Sequence, residues 1–434
     1  MKPATAIAFT LILMIGISAS AQGSWSTHTS AGEYAFARGD LDRAESEFRA
    51  ALEVAQGFPA GDRRLETSLE NLARLYEHES DFDRAQPLYQ LLLAAKEVRL
   101  GEDHPALLSP LYAVARVSQP MGDLPTVESS LKRFAAIAEK SGEADSRQHW
   151  QVLQMLARMQ TIQEKPDLAV VWQRQAAEAI ANDPGATSEE QINILVSLAE
   201  MELVAENGPA AERIYVEVAE LRKEEDEADA FPDTMAEGAE IALAAAQFET
   251  AERLAMRATH SHPDANAELQ ARRVLVELSW IKVNRGTTDM ENLLAAAGDD
   301  QELVRARDRL RELILLEGAD KRTTLNRLAQ VEALRGQPAS AADWQLQLLE
   351  IVADNSEAAA IARRDLVTLL AAAGRYDEAL AENAVVLADL EARYGESDKR
   401  LLPVLSQRQA LYESAGNKKQ AKKIKKRIKK LSRQ

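Results

Sequence analysis

The chain contains no cysteine, which excludes disulfides, thiolate metal ligands, cysteine nucleophiles and a lipidated N-terminal cysteine. Aromatic residues make up only 5% of it, and 19 glycines with 14 prolines in 434 residues are too few for a fold of many β-turns. Histidine is scarce too, at six. Basic residues are outnumbered, 52 against 69 acidic, for a formal net charge of −17. Ten of those 52 lie in residues 418–434 and another is Lys2, which leaves residues 22–417 with 41 basic and 69 acidic, net −28. An acidic body disfavours nucleic acid as the main ligand and reads first as a source of solubility. Apolar residues are nonetheless 46% of the chain, and the abundance of Ala, Leu, Glu, Arg and Gln points to a helix-rich protein with a large core.

One long apolar run is present, and it stands at the N-terminus. Lys2 precedes the uncharged stretch Ala4–Ile17, and Ala19-Ser20-Ala21 follows as a small-residue cleavage site before Gln22. Fourteen residues fall short of the ~20 that span a bilayer. Residues 1–21 are therefore predicted to be a cleaved secretory signal, and the mature chain to be exported: periplasmic, or alternatively secreted or at the outer surface.

The rest of the chain repeats. Residues 31–52 match 72–93 at a constant offset of 41, with Asp40, Asp42, Arg43, Ala44 and Phe48 falling on Asp81, Asp83, Arg84, Ala85 and Tyr89. Two small residues recur twelve apart, as Gly32/Ala44, Ala73/Ala85, Ala199/Ala211, Ala239/Ala251 and Ala329/Ala341. A glycine stands five residues before the second small residue in Gly39/Ala44, Gly336/Ala341, Gly374/Ala379 and Gly416/Ala421. The second small residue thus falls near 44, 85, 127, 170, 211, 251, 291, 341, 379 and 421, with 291 a degenerate match. Antiparallel helices that cross closely need small side chains at the crossing, a turn residue that accepts positive φ, and a cap for the second helix. The pattern predicts an all-α protein: a solenoid of nine to ten stacked helical hairpins. Its divisions are 1–21 (signal), 22–285 (first repeat block), 286–316 (a degenerate repeat with an extra helix at about 301–316), 317–417 (second block) and 418–434 (a basic capping helix with an apolar stripe of Ile424, Ile428 and Leu431). Ala44, Ala73, Ala85, Ala199, Ala211, Ala329, Ala341, Ala379 and Ala421 are the predicted crossing residues.

The spacing of Leu69, Leu72, Ala73, Tyr76, Ala85 and Tyr89 resembles the tetratricopeptide repeat. The longer period and the loop Gly101-Glu102-Asp103-His104-Pro105 resemble its kinesin-light-chain-like subtype, with Tyr394-Gly395-Glu396-Ser397-Asp398 in the equivalent place further on. The resemblance implies a protein-interaction scaffold that takes a partner polypeptide on the face lined by the first helix of each hairpin. Its groove positions lie three before and one and four after the first small residue. Counted from Ala73 they are Glu70, Arg74 and Glu77; from Ala329, Asn326, Gln330 and Ala333; from Val367, Arg364, Thr368 and Ala371. Asn326 matches the subtype's groove asparagine, whereas Glu70 stands in that place in the second hairpin, beside Asn71.

Nothing points to an enzyme. There is no phosphate-binding glycine loop, nucleophile elbow or His–carboxylate constellation. His260-x-His262 lacks a partner at metal-ligand spacing, the acidic stretch Glu224–Asp229 lacks a calcium loop's glycine and alternation, and the tryptophans sit at core spacings. No cofactor or metal is expected. The predicted partner is a protein or peptide, not nucleic acid. Two alternatives stand beside the scaffold: an envelope assembly factor held at an anionic membrane by the basic C-terminal helix, which is not favoured, and a regulatory subunit of a separately encoded enzyme.

Overall fold

The computed structural model describes residues 23–59, 61–142, 146–224, 230–261, 263–283, 290–298, 300–352 and 356–433. The predicted signal, His262 and all but the first residue of the stretch Glu224–Asp229 lie outside them. The described residues contain helices and turns and no strand. Contacts divide the chain into two compact units, one ending at Ala205 and one beginning at Glu206.

The first unit is four helical hairpins and a single helix. They are α1 (23–37) with α2 (Leu41–Gln56), α3 (Arg63–His78) with α4 (Phe82–Leu100), α5 (Leu108–Ser118) with α6 (Leu124–Ser141), and α7 (Arg147–Ile162) with α8 (Pro166–Ala181), followed by α9 (Ser188–Val204). The second unit opens with α10 (Gly208–Glu224). The hairpin of α11 (Ala230–Ala244) and α12 (Phe248–His260) follows, then α13 (Ala265–Val283), the short α14 (Met290–Ala295) and α15 (Gln301–Ile314). Three further hairpins complete it: α16 (Lys321–Leu334) with α17 (Pro338–Ile351), α18 (Ser356–Ala372) with α19 (Tyr376–Tyr394), and α20 (Leu402–Ser414) with α21 (Lys418–Leu431). Within each unit a hairpin's second helix packs on the first helix of the next, the stacking of an α-solenoid.

One local code builds these hairpins, counted from the small residue of the second helix. Five residues before it the backbone turns left-handed, at Gly39, Gly122, Gly336, Gly374 and Gly416 but also at Ser80, Glu164, Glu206 and Ala246, all with φ between 58° and 76°. A side chain in that conformation costs about 1–2 kcal/mol, so the four non-glycine turns are held by the packing of their hairpins. Four residues before the small residue, Asp40, Asp81, Asp123 and Asn417 cap the second helix by accepting a backbone N–H bond. All nine predicted crossing alanines are buried, eight of them completely and Ala421 at 4%. The closeness of the crossing is plain at Gly32, where an ideal Cβ would stand 2.5 Å from the Phe48 ring.

The structure corrects the register at two places. The turn at Glu164 and the full burial of Ala169 make Ala169, rather than position 170, the crossing residue of α8. In the second unit α15 is not the added helix. It packs along α13 with Leu303, Ala306, Leu310 and Leu313 buried, so it is the second helix of that hairpin and Ala306 takes the place assigned to 291. The insertion is α14, which lies against α16 and α18. Small-residue spacing could not show this, because the link from α13 to α15 is longer than the repeat's usual turn.

Stacking is specified at a further position, four residues after the small one. Gln173, Gln345 and Asn383 stand there, fully buried, and donate to the carbonyls of Ile194, Ala362 and Val404 on the following helix at 3.0, 3.2 and 3.3 Å. Phe48, Tyr89, Leu131 and Leu310 hold the same place elsewhere and are buried. An amide that bonds a helix carbonyl fixes axial register where an apolar residue fixes only distance.

The two loops of the subtype motif have one geometry. Gly101 and Gly395 end 19-residue helices at φ 90° and 87°, values that favour glycine. Short 3₁₀ turns follow at Pro105–Leu107 and Lys399–Leu401, capped by His104 Nδ1, which accepts from Ala106 N (3.1 Å), and Asp398 Oδ1, which accepts from Arg400 N (2.8 Å). Arg133 and Arg427 clasp the two loops alike, each pairing with a glutamate of the preceding helix (Glu97, Glu391) and donating to a loop carbonyl (Glu102, Glu396).

Candidate functional site

In the first unit the first helices of successive hairpins line a groove of about 620 Å³. α3 contributes Glu70, Arg74, Glu77 and His78; α5 contributes Ser109, Tyr112, Ala113 and Arg116; Phe36 of α1 and Gln148 of α7 close it on either side. Helical spacing sets this up. Residues three before and one and four after a crossing residue share the helix face turned away from the partner helix.

The charges in the groove fall into two sets. Glu77 is engaged: it accepts from the Tyr89 hydroxyl at 2.7 Å and pairs with Arg116. Burial, and then the bond to Glu77, push the Tyr89 phenol far above its ordinary pKa, so it stays a neutral donor. Arg74 is exposed, and neither it nor Glu70 has an ion-pair partner among the described residues. The apolar part of the surface is Phe36, which meets His78 edge-on at 5.3 Å, and Tyr112, set against Phe134 at 6.4 Å. A lining with aromatic faces, free donors and one free carboxylate can hold an extended polypeptide by both side chains and backbone.

The second unit has two such concavities. One of about 560 Å³ takes in Asn326 and Arg322 of α16, Gln345 of α17 and Asp365 of α18. Asp320 sits at its edge, held below the ordinary carboxylate range by hydrogen bonds from Thr323. The other, about 940 Å³, takes in Arg364, Thr368 and Ala371 of α18 with Ser406, Gln407 and Ala410 of α20, and includes Met290, Glu291 and Leu294 of α14. The exposed Arg364 has no ion-pair partner among the described residues.

The sequence-derived positions therefore separate. Glu70 and Arg74 lie in the first unit's groove, and Asn326 and Arg364 line the two concavities of the second. Gln330 does not face a groove: it is 2% exposed, its amide oxygen has no partner, and Ala333 beyond it is fully buried. The added α14 packs on α16, and its Met290 and Leu293 join the buried cluster that holds Ala333 and Leu334. Asn71 is absent from the lining of the first groove, and its amide nitrogen is buried without a partner. Phe36, Tyr112 and Arg116 line the groove although sequence reasoning did not single them out. The same counting finds them, four after Gly32 and three before and one after Ala115.

The residues weighed for other chemistry have structural duties. His260 Nδ1 lies 2.6 Å from the Met256 carbonyl, and Trp150 is buried and donates to Asp183 at 3.1 Å. Among the described residues no His, Asp or Glu cluster has the make-up of a metal site, and no helix is long and apolar enough to cross a membrane.

The sequence model of the tetratricopeptide repeat matches residues 26–97. These residues are tetratricopeptide repeats. Most hairpins of both units share the left-handed turn and the buried crossing residue of the two in that stretch, the same helical-hairpin fold. Solved structures similar to the chain include a kinesin light chain of nearly identical tetratricopeptide-like repeats from Podosopora anserina, 16% identical over 47% of this chain and 97% of that one, with a TM-score of 0.38. BtubC (BKLC) from P. vanneervenii is 19% identical over 48% and 91%, also with a TM-score of 0.38. A tetratricopeptide repeat protein from Parabacteroides merdae is 14% identical over 71% and 99%, with a TM-score of 0.36. No curated protein matches the sequence.

Proposed function

We propose that this tetratricopeptide-repeat protein is a non-catalytic scaffold of the cell envelope that holds a segment of a partner polypeptide along the inner face of its first helices. The observation that carries the reading is the groove over α1, α3, α5 and α7. There Arg74 and Glu70 stand beside the Phe36 and Tyr112 rings with no ion-pair partner among the described residues. A charged side chain left free beside aromatic surface suits a ligand more than the fold.

Replacing Arg74, Asn326 and Arg364 together by alanine is expected to weaken partner capture about tenfold or more, the scale of losing interface hot spots, without lowering the melting temperature. A photo-crosslinker at Ser109, on the groove, should yield an adduct of one defined mass, and one at the exposed Leu91 on a second helix should not. Adducts from Leu91 alone would move the interaction to the outer face and sink the proposal.

The envelope location rests on residues 1–21, with their charge-free run and Ala19-Ser20-Ala21. Intact-mass measurement of the protein recovered from the periplasm should show a chain beginning at Gln22. A soluble chain that retains Met1 would contradict export.

A further inference from the structure

The last helix combines two properties that pull against each other. Its apolar side is spent on the protein: Ala421 and Leu431 are 4% exposed, and Ile424 and Ile428 pack with Leu431 on Val386 and Leu387 of α19, Leu401 of the turn after it and Leu405 of α20. Its other side is lysine. Lys418, Lys419, Lys422, Lys423, Lys425, Lys426, Lys429 and Lys430 are all exposed, and none has an ion-pair partner among the described residues. At 100° per residue these eight fall in an arc of roughly 160° centred opposite the apolar stripe, and no carboxylate interrupts it. Arg427, at the border of the arc, is taken by Glu391.

Such a face works against its own helix. Lys418/Lys422, Lys422/Lys426 and Lys425/Lys429 are like charges at i, i+4, which destabilise a helix. A cap needs only a polar outer face, and alternating signs would supply one without repulsion. Residues 22–417 carry an excess of 28 negative charges, so carboxylates are plentiful in this chain, yet residues 418–434 hold none.

We infer that the outer face of α21 is a docking surface for an anionic lipid bilayer, with the protein resting on the membrane by its C-terminal end. A plane of headgroups matches a flat arc of point charges, and each lysine brought near it adds to the attraction. Because the apolar stripe is already buried, the contact is electrostatic and requires no insertion. Nucleic acid fits less well: the arc has neither the arginine forks that read phosphates and bases nor aromatic rings on which bases stack.

The test is co-sedimentation of the full chain with vesicles of phosphatidylglycerol in phosphatidylcholine, and with phosphatidylcholine alone. Binding is expected to the anionic vesicles only, to be released by raised salt, and to fall about tenfold or more in a variant carrying Lys418→Gln, Lys422→Gln, Lys425→Gln, Lys426→Gln and Lys429→Gln. These positions are exposed and glutamine favours helix, so circular dichroism should match the parent and melting should be equal or slightly higher as the like-charge repulsion is relieved. Equal binding to neutral vesicles, binding that survives the five substitutions, or no binding at low salt would each overturn the inference. Retention of polyphosphate or single-stranded DNA without vesicle binding would do the same, and would assign the face to a soluble polyanion.

Discussion

Removing residues 418–434 is expected to destabilise the second unit by roughly 3–6 kcal/mol, the scale of exposing three aliphatic side chains and their partners once partial exposure of the isoleucines is discounted. Ile424, Ile428 and Leu431 would vanish, and Val386, Leu387, Leu401 and Leu405 would face water in their place. The clasp of Arg427 on Glu391 and the carbonyl of Glu396 would go with them, loosening the loop that leads into the turn Lys399–Leu401. Stacked repeats pass such damage to their nearest neighbours first. Hydrogen exchange should therefore rise in α19 and α20 before it rises in α16, and α1–α9 should be unaffected. Denaturant melting monitored by exchange would check both parts. A truncated chain with unchanged protection in α20 would show that α21 is not a cap. The five lysine-to-glutamine changes, by contrast, should leave this stability equal or slightly raised, which separates the two duties of one helix.

Replacing Arg99 by alanine is expected to lower the stability of the first unit measurably, though less than breaking a fully buried pair would, because Arg99 is partly exposed. Glu66, 7% exposed near the start of α3, receives both arms of the Arg99 guanidinium, Nε to Oε1 at 2.6 Å and Nη2 to Oε2 at 2.7 Å. Without Arg99 a carboxylate is stranded where water reaches it poorly, with only the positive end of α3 to steady it. The double change Glu66→Gln with Arg99→Ala should recover part of the loss, since a neutral amide is cheaper to bury than a charge. Urea melting of the two variants beside the parent measures this. A single variant as stable as the parent would mean that the pair holds no net stability. Arg99→Lys should fall between them, because an ammonium cannot reproduce the two-armed geometry.

Most of the local architecture was legible in the residues. The recurrence of Ala twelve residues after a small residue, with Gly or a polar residue at the turn and Asp at the cap, reports helix periodicity and turn stereochemistry. Both are properties of a few consecutive residues. That is why all nine crossing alanines are buried, and why Gly101 and Gly395 end their helices in one conformation. The groove offsets came from the resemblance to the tetratricopeptide repeat, and Glu70, Arg74, Asn326 and Arg364, which stand at them, line concavities of the two units, as do Tyr112 and Arg116 counted from Ala115.

Tertiary structure decided what spacing cannot carry. Gln330 is buried on a helix that also carries α14, a segment outside the repeat whose docking on α16 and α18 no period announces. The pairing of α15 with α13 came from the burial of Leu303, Ala306 and Leu310 against a helix reached through a long link. The amides of Gln173, Gln345 and Asn383 read as ordinary polar residues until the next hairpin brings a carbonyl to them. By itself the sequence determined most of the hairpins, with nine of their crossing alanines and the glycine turns, because those rest on contacts between residues near one another in the chain. Only the folded units decided which polar faces were consumed and which stayed free, because that turns on what stacks against each helix from tens of residues away.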